Sequence, residues 1–499
     1  MRLAFVFLCS ALAAIAFSLF LVTPANAESV FDRYFAGSHL NFDVSDDSIT
    51  DTAKFEAELE LRYRNQDISA FARLTNDRPF GFQTEPFSLE KRGFEYRFGD
   101  WKLDGGDYSL VYGRGLALNA IEERGVDRDA QLDGAMLKGS LGSANVTAFW
   151  GDHKSDRVDF YISGVNTDNR GPADRLFGGR IDYSLNHANV GLGWLNADMT
   201  RNEHPLSTSI TEFNGSWNPG DFSLYYETAW FNRPEPGGSE ESMDGRGQLT
   251  EALYAAGGFS LSGAWVRYDK ASFDYATAPS LKRPDIDNAS SHPDDETGYR
   301  FESRYSPRTW HGGALRGTYA SLNGIERKDQ EFRDLFVEWT SSPMKDWSGS
   351  LSYDHISGYL LYYGSIDGKD ENYRFTLDGP CPLMGTLHLQ GRYRLLENSY
   401  QNDDETQLGL DWNVTPEFTL GFFRETSTRP IEPPPPGLIG IPTASPGHWN
   451  SGYLNWAPDP WTEIQLTIGS QRGGFRCAGG TCAQLPPFKG VRLTYYRVF

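Results

Sequence analysis

Nine histidines are spread through the 499 residues. None stands with a serine and an aspartate at a spacing that would assemble a nucleophile, a base and an orienting acid. The densest carboxylate row is Glu56, Glu58 and Glu60, at alternate positions of one run. On a strand such positions step about 7 Å apart, so the row suits a solvated charged face better than a close acid–base pair. Cys477 and Cys482 flank Ala-Gly-Gly-Thr, a bend that would let them join as a local disulfide in an oxidising compartment. A metal site is the alternative, but no histidine lies nearby and the spacing is not a zinc pattern. Cys381 is left over as a free thiol, and no C-x-x-C-H run exists to carry a covalent c-type haem. Neither catalytic residues, nor a metal site, nor a cofactor of the chain's own is expected.

The segment with the most unusual chemistry is Tyr112 to Asp133, reading YGRGLALNAIEERGVDRDAQLD. It joins an apolar stretch, Leu116 to Ile121, to dense charge: Arg114, Glu122, Glu123, Arg124, Asp127, Arg128 and Asp129. Folded into a pore, such a loop would narrow it, and paired opposite charges there would set ion preference. The same residues would also suit an external loop with a helical turn packed on its neighbours.

The elements that must hold these residues are strands. Lys54 to Arg64 alternates Phe55, Ala57, Leu59, Leu61 and Tyr63 on one face with Glu56, Glu58, Glu60, Arg62 and Arg64 on the other. A helix would scatter those charges around its circumference, whereas a membrane-spanning strand turns one face to lipid and the other to a lumen. The unit of strand, tight turn, strand and long polar loop then recurs. Its tight turns fall at Asn65–Asp67, Gly99-Asp100, Gly142-Ser143, Asn186-His187, Asn218–Gly220, Gly257-Gly258, Pro307, Pro343, Pro380–Pro382, Thr415–Glu417 and Pro458–Pro460, all residue types that favour chain reversal. With a first strand near Ser38–Val44 and a last at Phe488–Phe499, the pattern is an all-β, antiparallel up-and-down transmembrane β-barrel of about 24 strands, between 22 and 26. The inward set expected to line the lumen adds Arg180, Asp182, His388, Arg392 and Arg394 to the 56–64 charges.

Met1-Arg2, the uncharged apolar run Leu3 to Val22 and the sequence TPANA at 23–27 form a secretory signal, with cleavage after Ala27. An uncleaved anchor is the other reading, since the run is long enough to span a membrane. Removing the signal leaves 45 basic against 67 acidic residues, a formal charge of −22. That acidity argues against nucleic acid as a partner. Fourteen per cent aromatics, 52 glycines and a mean hydropathy of −0.51 suit a wall that alternates apolar and polar. A secreted propeller would need internal repeats, and none is found. The domains expected are therefore the signal at 1–27 and one barrel at 28–499.

The last stretch, FKGVRLTYYRVF, ends on Phe499 with Tyr495 four residues earlier on the same face. It resembles the C-terminal signal of bacterial outer-membrane β-barrels, which implies recognition by the barrel-insertion machinery and residence in the Gram-negative outer membrane among its lipid and lipopolysaccharide. The whole chain beyond the signal is similar to large porin-like barrels. The YGRGLAL…LDG segment and CAGGTC…PPFKG resemble uncharacterised barrels from bacteria rich in multihaem cytochromes. The resemblance implies two functions: a non-enzymatic channel for small solutes narrowed by the 112–133 loop, or a haem-free sheath around a periplasmic multihaem cytochrome in an electron conduit. A structural or adhesive barrel is a third reading.

Overall fold

The computed structural model describes residues 38–47, 52–76, 88–123, 128–153, 174–201, 204–233, 244–271, 275, 278–283, 295–307, 310, 313–325, 331–341, 346–360, 366–398, 402–428, 447–472, 474–478, 481–485 and 488–498. The segment expected to be a signal, residues 1–27, lies outside them, as do Arg124, Asp127 and Phe499 and the side chains of Glu56, Glu123, Arg128, Asp129, Cys477 and Cys482.

Twenty-four strands form one antiparallel sheet, each paired with its neighbours in the chain. The sheet closes on itself where His39–Asp47 pairs with Phe488–Val498, in a continuous register from His39 opposite Val498 to Asp47 opposite Gly490. Closure leaves no free edge strand around the ring, which is what allows strands to cross hydrocarbon. The fold is the 24-stranded barrel that the alternation implies.

One end of the barrel carries the tight turns. Gly99 and Gly142 adopt φ of 60° and 64°, left-handed values that reverse a hairpin in two residues. His39 and Val498 both lie at this end, since Val498 N–H donates to the carbonyl of Trp461 in the last turn (2.8 Å). Period-two alternation sorts the side chains. Leu192 and Trp194 stand out on the outer wall, as do Phe301, Leu351 and Tyr373. Between them Gly191, Gly193, Arg300, Ser352 and Arg374 point inward. A soluble protein hides its apolar face, and this one displays it, as a lipid-facing wall must. Among the described residues no helix is long and apolar enough to cross a membrane.

Several strands outrun their expected lengths. The repeating unit places a long polar loop between the turns at Asn186-His187 and Asn218–Gly220. Instead Ala188–Arg201 and His204–Trp217 stay paired throughout, with Ala197 opposite Thr208 and Thr200 opposite Pro205. Thr386–Asn398 and Asn402–Thr415 likewise extend toward each other. Polar sequence of this kind carries no loop signal once a neighbouring strand completes the hydrogen-bond ladder, so composition alone ended these strands too early.

Candidate functional site

The inward face is not empty. One cluster of buried apolar residues joins Tyr112, Leu116, Ala117, Leu118 and Ala120 to the inner face of the wall, notably Leu195, Ile210, Ala229 and Leu249. Tyr112 and the run Leu116 to Leu118 have no exposure. Residues after Tyr108 therefore turn into the barrel and lie against strands Ala188–Arg201 to Gly245–Ala256.

Two features of the wall make this possible. The first is space. A Cβ on Gly247 would stand 2.6 Å from Leu116 Cδ1, and one on Gly193 would stand 2.9 Å from Tyr112 Cδ2. Gly134 and Gly151 are opposite each other on the same inner surface. The second is a polar anchor. The Glu227 carboxylate, fully buried, accepts from the N–H of Arg114 (2.7 Å), the N–H of Leu116 (3.2 Å) and the hydroxyl of Tyr225 (2.6 Å). These charge-assisted bonds hold the loop's backbone to one point of the wall, on a strand six places round the ring from the one the loop leaves. Arg180 supports the aromatic end. Its guanidinium lies 5.4 Å from the Tyr112 ring and donates to Asp182 and to Glu212 (2.7 Å each). Burial pushes the Tyr112 phenol well above its ordinary pKa, so the ring stays neutral.

A second segment, not singled out by sequence reasoning, enters the lumen. Ala271, Tyr275, Ala278 and Leu281 belong to the same cluster. The N–H of Asn119 donates to the carbonyl of Tyr275 (2.6 Å), the Tyr275 hydroxyl donates to Asp174, and the Tyr268 hydroxyl donates to the carbonyl of Pro279 (2.6 Å). Arg283 reaches the wall three and four strands farther round, 2.8 Å from Asp334, 3.3 Å from Asp354 and 4.2 Å above the Phe336 ring. The legible traces were the apolar residues Ala271, Phe273, Tyr275, Ala278 and Leu281 in that connection and the small inward residues across strands 132–141 to 245–256.

The remaining candidate residues fall in different settings. Glu122 joins Arg73 (2.5 Å) and Lys91 (3.3 Å), tying the far end of the loop to strands Ile68–Asn76 and Ser88–Phe98. Arg114 lies 3.3 Å from Glu251 and more than half exposed. Glu58 and Glu60 face inward on Thr52–Arg64, but Glu60 is buried under Arg62 (2.5 Å) and Arg73 (2.8 Å). His39, Glu58 and Glu60 bring three donor atoms within 4.8 Å of one another. A cation would have to displace the two guanidinium contacts on Glu60, so the set is already neutralised as an ion pair. Arg394 is buried against Asp370 (2.5 Å) and Glu405 (3.5 Å), while Arg392 donates to Asn372 Oδ1 (2.9 Å) and His388 sits 2.6 Å from Asp378, half-exposed. Arg64 is exposed beside the first tight turn. Tyr495 packs on the outer wall with Ala57, Leu40 and Ile464. The strands Gly474–Ala478 and Thr481–Leu485 pair so that Cys477 is opposite Cys482, and Cys381 is a free cysteine in the turn after Pro380.

A closed wall with an apolar exterior, a charged interior and inward-turned loops defines a transmembrane-type β-barrel. No family model matches the chain, and no curated protein is similar to it. Among solved structures, the chain is similar to an Escherichia coli P pilus tip assembly intermediate, PapC-PapD-PapK-PapG, with a TM-score of 0.53 at 10% identity, over 95% of this chain and 62% of that one. Looser likenesses are the P pilus usher PapC translocation pore (TM-score 0.45, 8% identity, 93% and 99% covered) and Pseudomonas aeruginosa OccK5 (TM-score 0.37, 12% identity, 79% and 97% covered). At these identities the likeness is one of fold, and the fold is that of large outer-membrane barrels.

Proposed function

We propose that this chain is an outer-membrane channel for passive passage of small solutes, narrowed by its own residues 112–133 and, beside them, by Tyr275 and residues 278–283. The observation that carries the reading is the Glu227 anchor, a fully buried carboxylate on the wall that binds two loop N–H groups. A barrel of this strand number without contents would leave a wide aqueous lumen. Residence in the Gram-negative outer membrane, insertion by way of Tyr495 and Phe499, and removal of residues 1–27 after export belong to the same reading. The alternative, a sheath around a multihaem cytochrome, needs the lumen space that the two segments take.

The test is single-channel conductance of the purified chain in planar bilayers, compared with Glu227→Ala and with a variant shortened within 115–122. Small, stable steps that grow in both variants are expected. Equal conductance in all three would sink the narrowing role, and silence in all three would sink the channel.

A further inference from the structure

On the tight-turn side of the packed segments, the register sets a row of cations across six neighbouring strands. Arg304 is opposite Arg316, Arg316 opposite Glu338, Glu338 opposite Ser352, Ser352 opposite Arg374, and Arg374 opposite Arg392. Their chain neighbours Tyr305, Leu315, Val337, Leu351, Tyr373 and Tyr393 are exposed on the outer wall. The row therefore faces the lumen. Two of its five cross-strand contacts are arginine against arginine. Like charges directly opposite on a sheet repel, and here they recur in a chain whose formal charge is −21.

The surroundings hold these guanidiniums in place without hiding them. Glu302 accepts from Arg316 (2.9 and 3.1 Å) and from Arg300 (2.8 Å), and Arg374 lies 3.3 Å from Asp354. The Arg316 and Arg374 side chains keep 36% and 26% of their surface. Strand spacing puts Arg316 and Arg374, the nearer members of the two arginine pairs, three strands or about 14 Å apart along the wall. A guanidinium presents paired N–H donors that match carboxylate and phosphate oxygens.

Taking the channel reading above as its basis, we infer that this row is a binding rung for small oxyanions, carboxylates or phosphate, and that the channel favours anions although the chain is acidic. The experiment is reversal potential across a potassium chloride gradient, with the full chain in planar bilayers, followed by addition of inorganic phosphate or succinate to one side. Glu227→Ala supplies an opened form, and Arg374→Gln with Arg392→Gln removes half the row. Folding of each is checked by gel mobility before heating, and Arg304→Gln, at an exposed position, replaces the double variant if that one fails to fold. The rung predicts chloride preference, a chloride current blocked by the oxyanion, and an anion preference that falls about threefold in the arginine variant. Block by only one of the two probes identifies the ligand as phosphate or as carboxylate. Cation preference in the parent, or selectivity and block unchanged in the arginine variant, overturns the rung while the channel stands. No current from the parent or from Glu227→Ala overturns both.

Discussion

A carboxylate without exposure, on a strand whose other face meets lipid, must find its partners within the chain. Glu227 finds two of them in the loop it faces. Each such charge-assisted bond contributes about 1.5–3 kcal/mol, enough for one residue to decide where a loop rests. The glycines opposite decide whether it fits. In Gly247→Leu, a side chain would occupy the place of Leu116. We expect about 1–3 kcal/mol of overpacking strain, relieved by lifting the loop. Larger conductance steps with a folded barrel by heat-modifiable mobility are the outcome to look for, and unchanged steps would show that the loop does not narrow the path. The sequence showed the loop's apolar run and its charges, but not Glu227, because a lone glutamate among Tyr225, Tyr226 and Ala229 looks like any solvated lumen position until its burial is known.

At the scale of elements, alternation and turn chemistry made nearly all of the wall legible. Every tight turn read from Gly, Pro, Asn and Asp joins two paired strands. What stayed hidden was the fate of the long connections, because loop sequence is equally compatible with an extended hairpin, as in Ala188–Arg201 with His204–Trp217, and with an inward course, as at Tyr275 and Leu281. Those outcomes depend on contacts with distant strands, which period-two reading does not contain. The hairpin at 474–485 permits a prediction at this scale. Opposite residues of an antiparallel pair have Cα atoms about 4.5–5.5 Å apart, within reach of a disulfide. We expect Cys477 and Cys482 to resist alkylation until reduced, with Cys381 the cysteine modified first. Mass spectrometry showing free thiols at 477 and 482 in protein prepared under oxidising conditions would rule the bridge out.

For the whole molecule, the seam between His39–Asp47 and Phe488–Val498 is the contact on which closure depends. It was legible in outline, since the last stretch alternates over the length a tilted strand needs. Removal of residues 488–499 would leave Thr462–Gln471 and His39–Asp47 with unpaired edges. The shortened chain should lose the fast-migrating, heat-sensitive band that a closed barrel gives on unboiled gels. A truncated chain that keeps this band would show that the ring can close without its final strand.

The segment inside the barrel leaves the wall after Tyr108 and rejoins it at Leu132, and these two residues are opposite each other on adjacent strands. Its two attachments therefore sit one strand spacing apart, like the two screws of a single hinge. An attachment of this kind tethers the segment to the wall at one place, so that the Glu227 contact and the Glu122 contacts with Arg73 and Lys91 decide how it lies across the lumen.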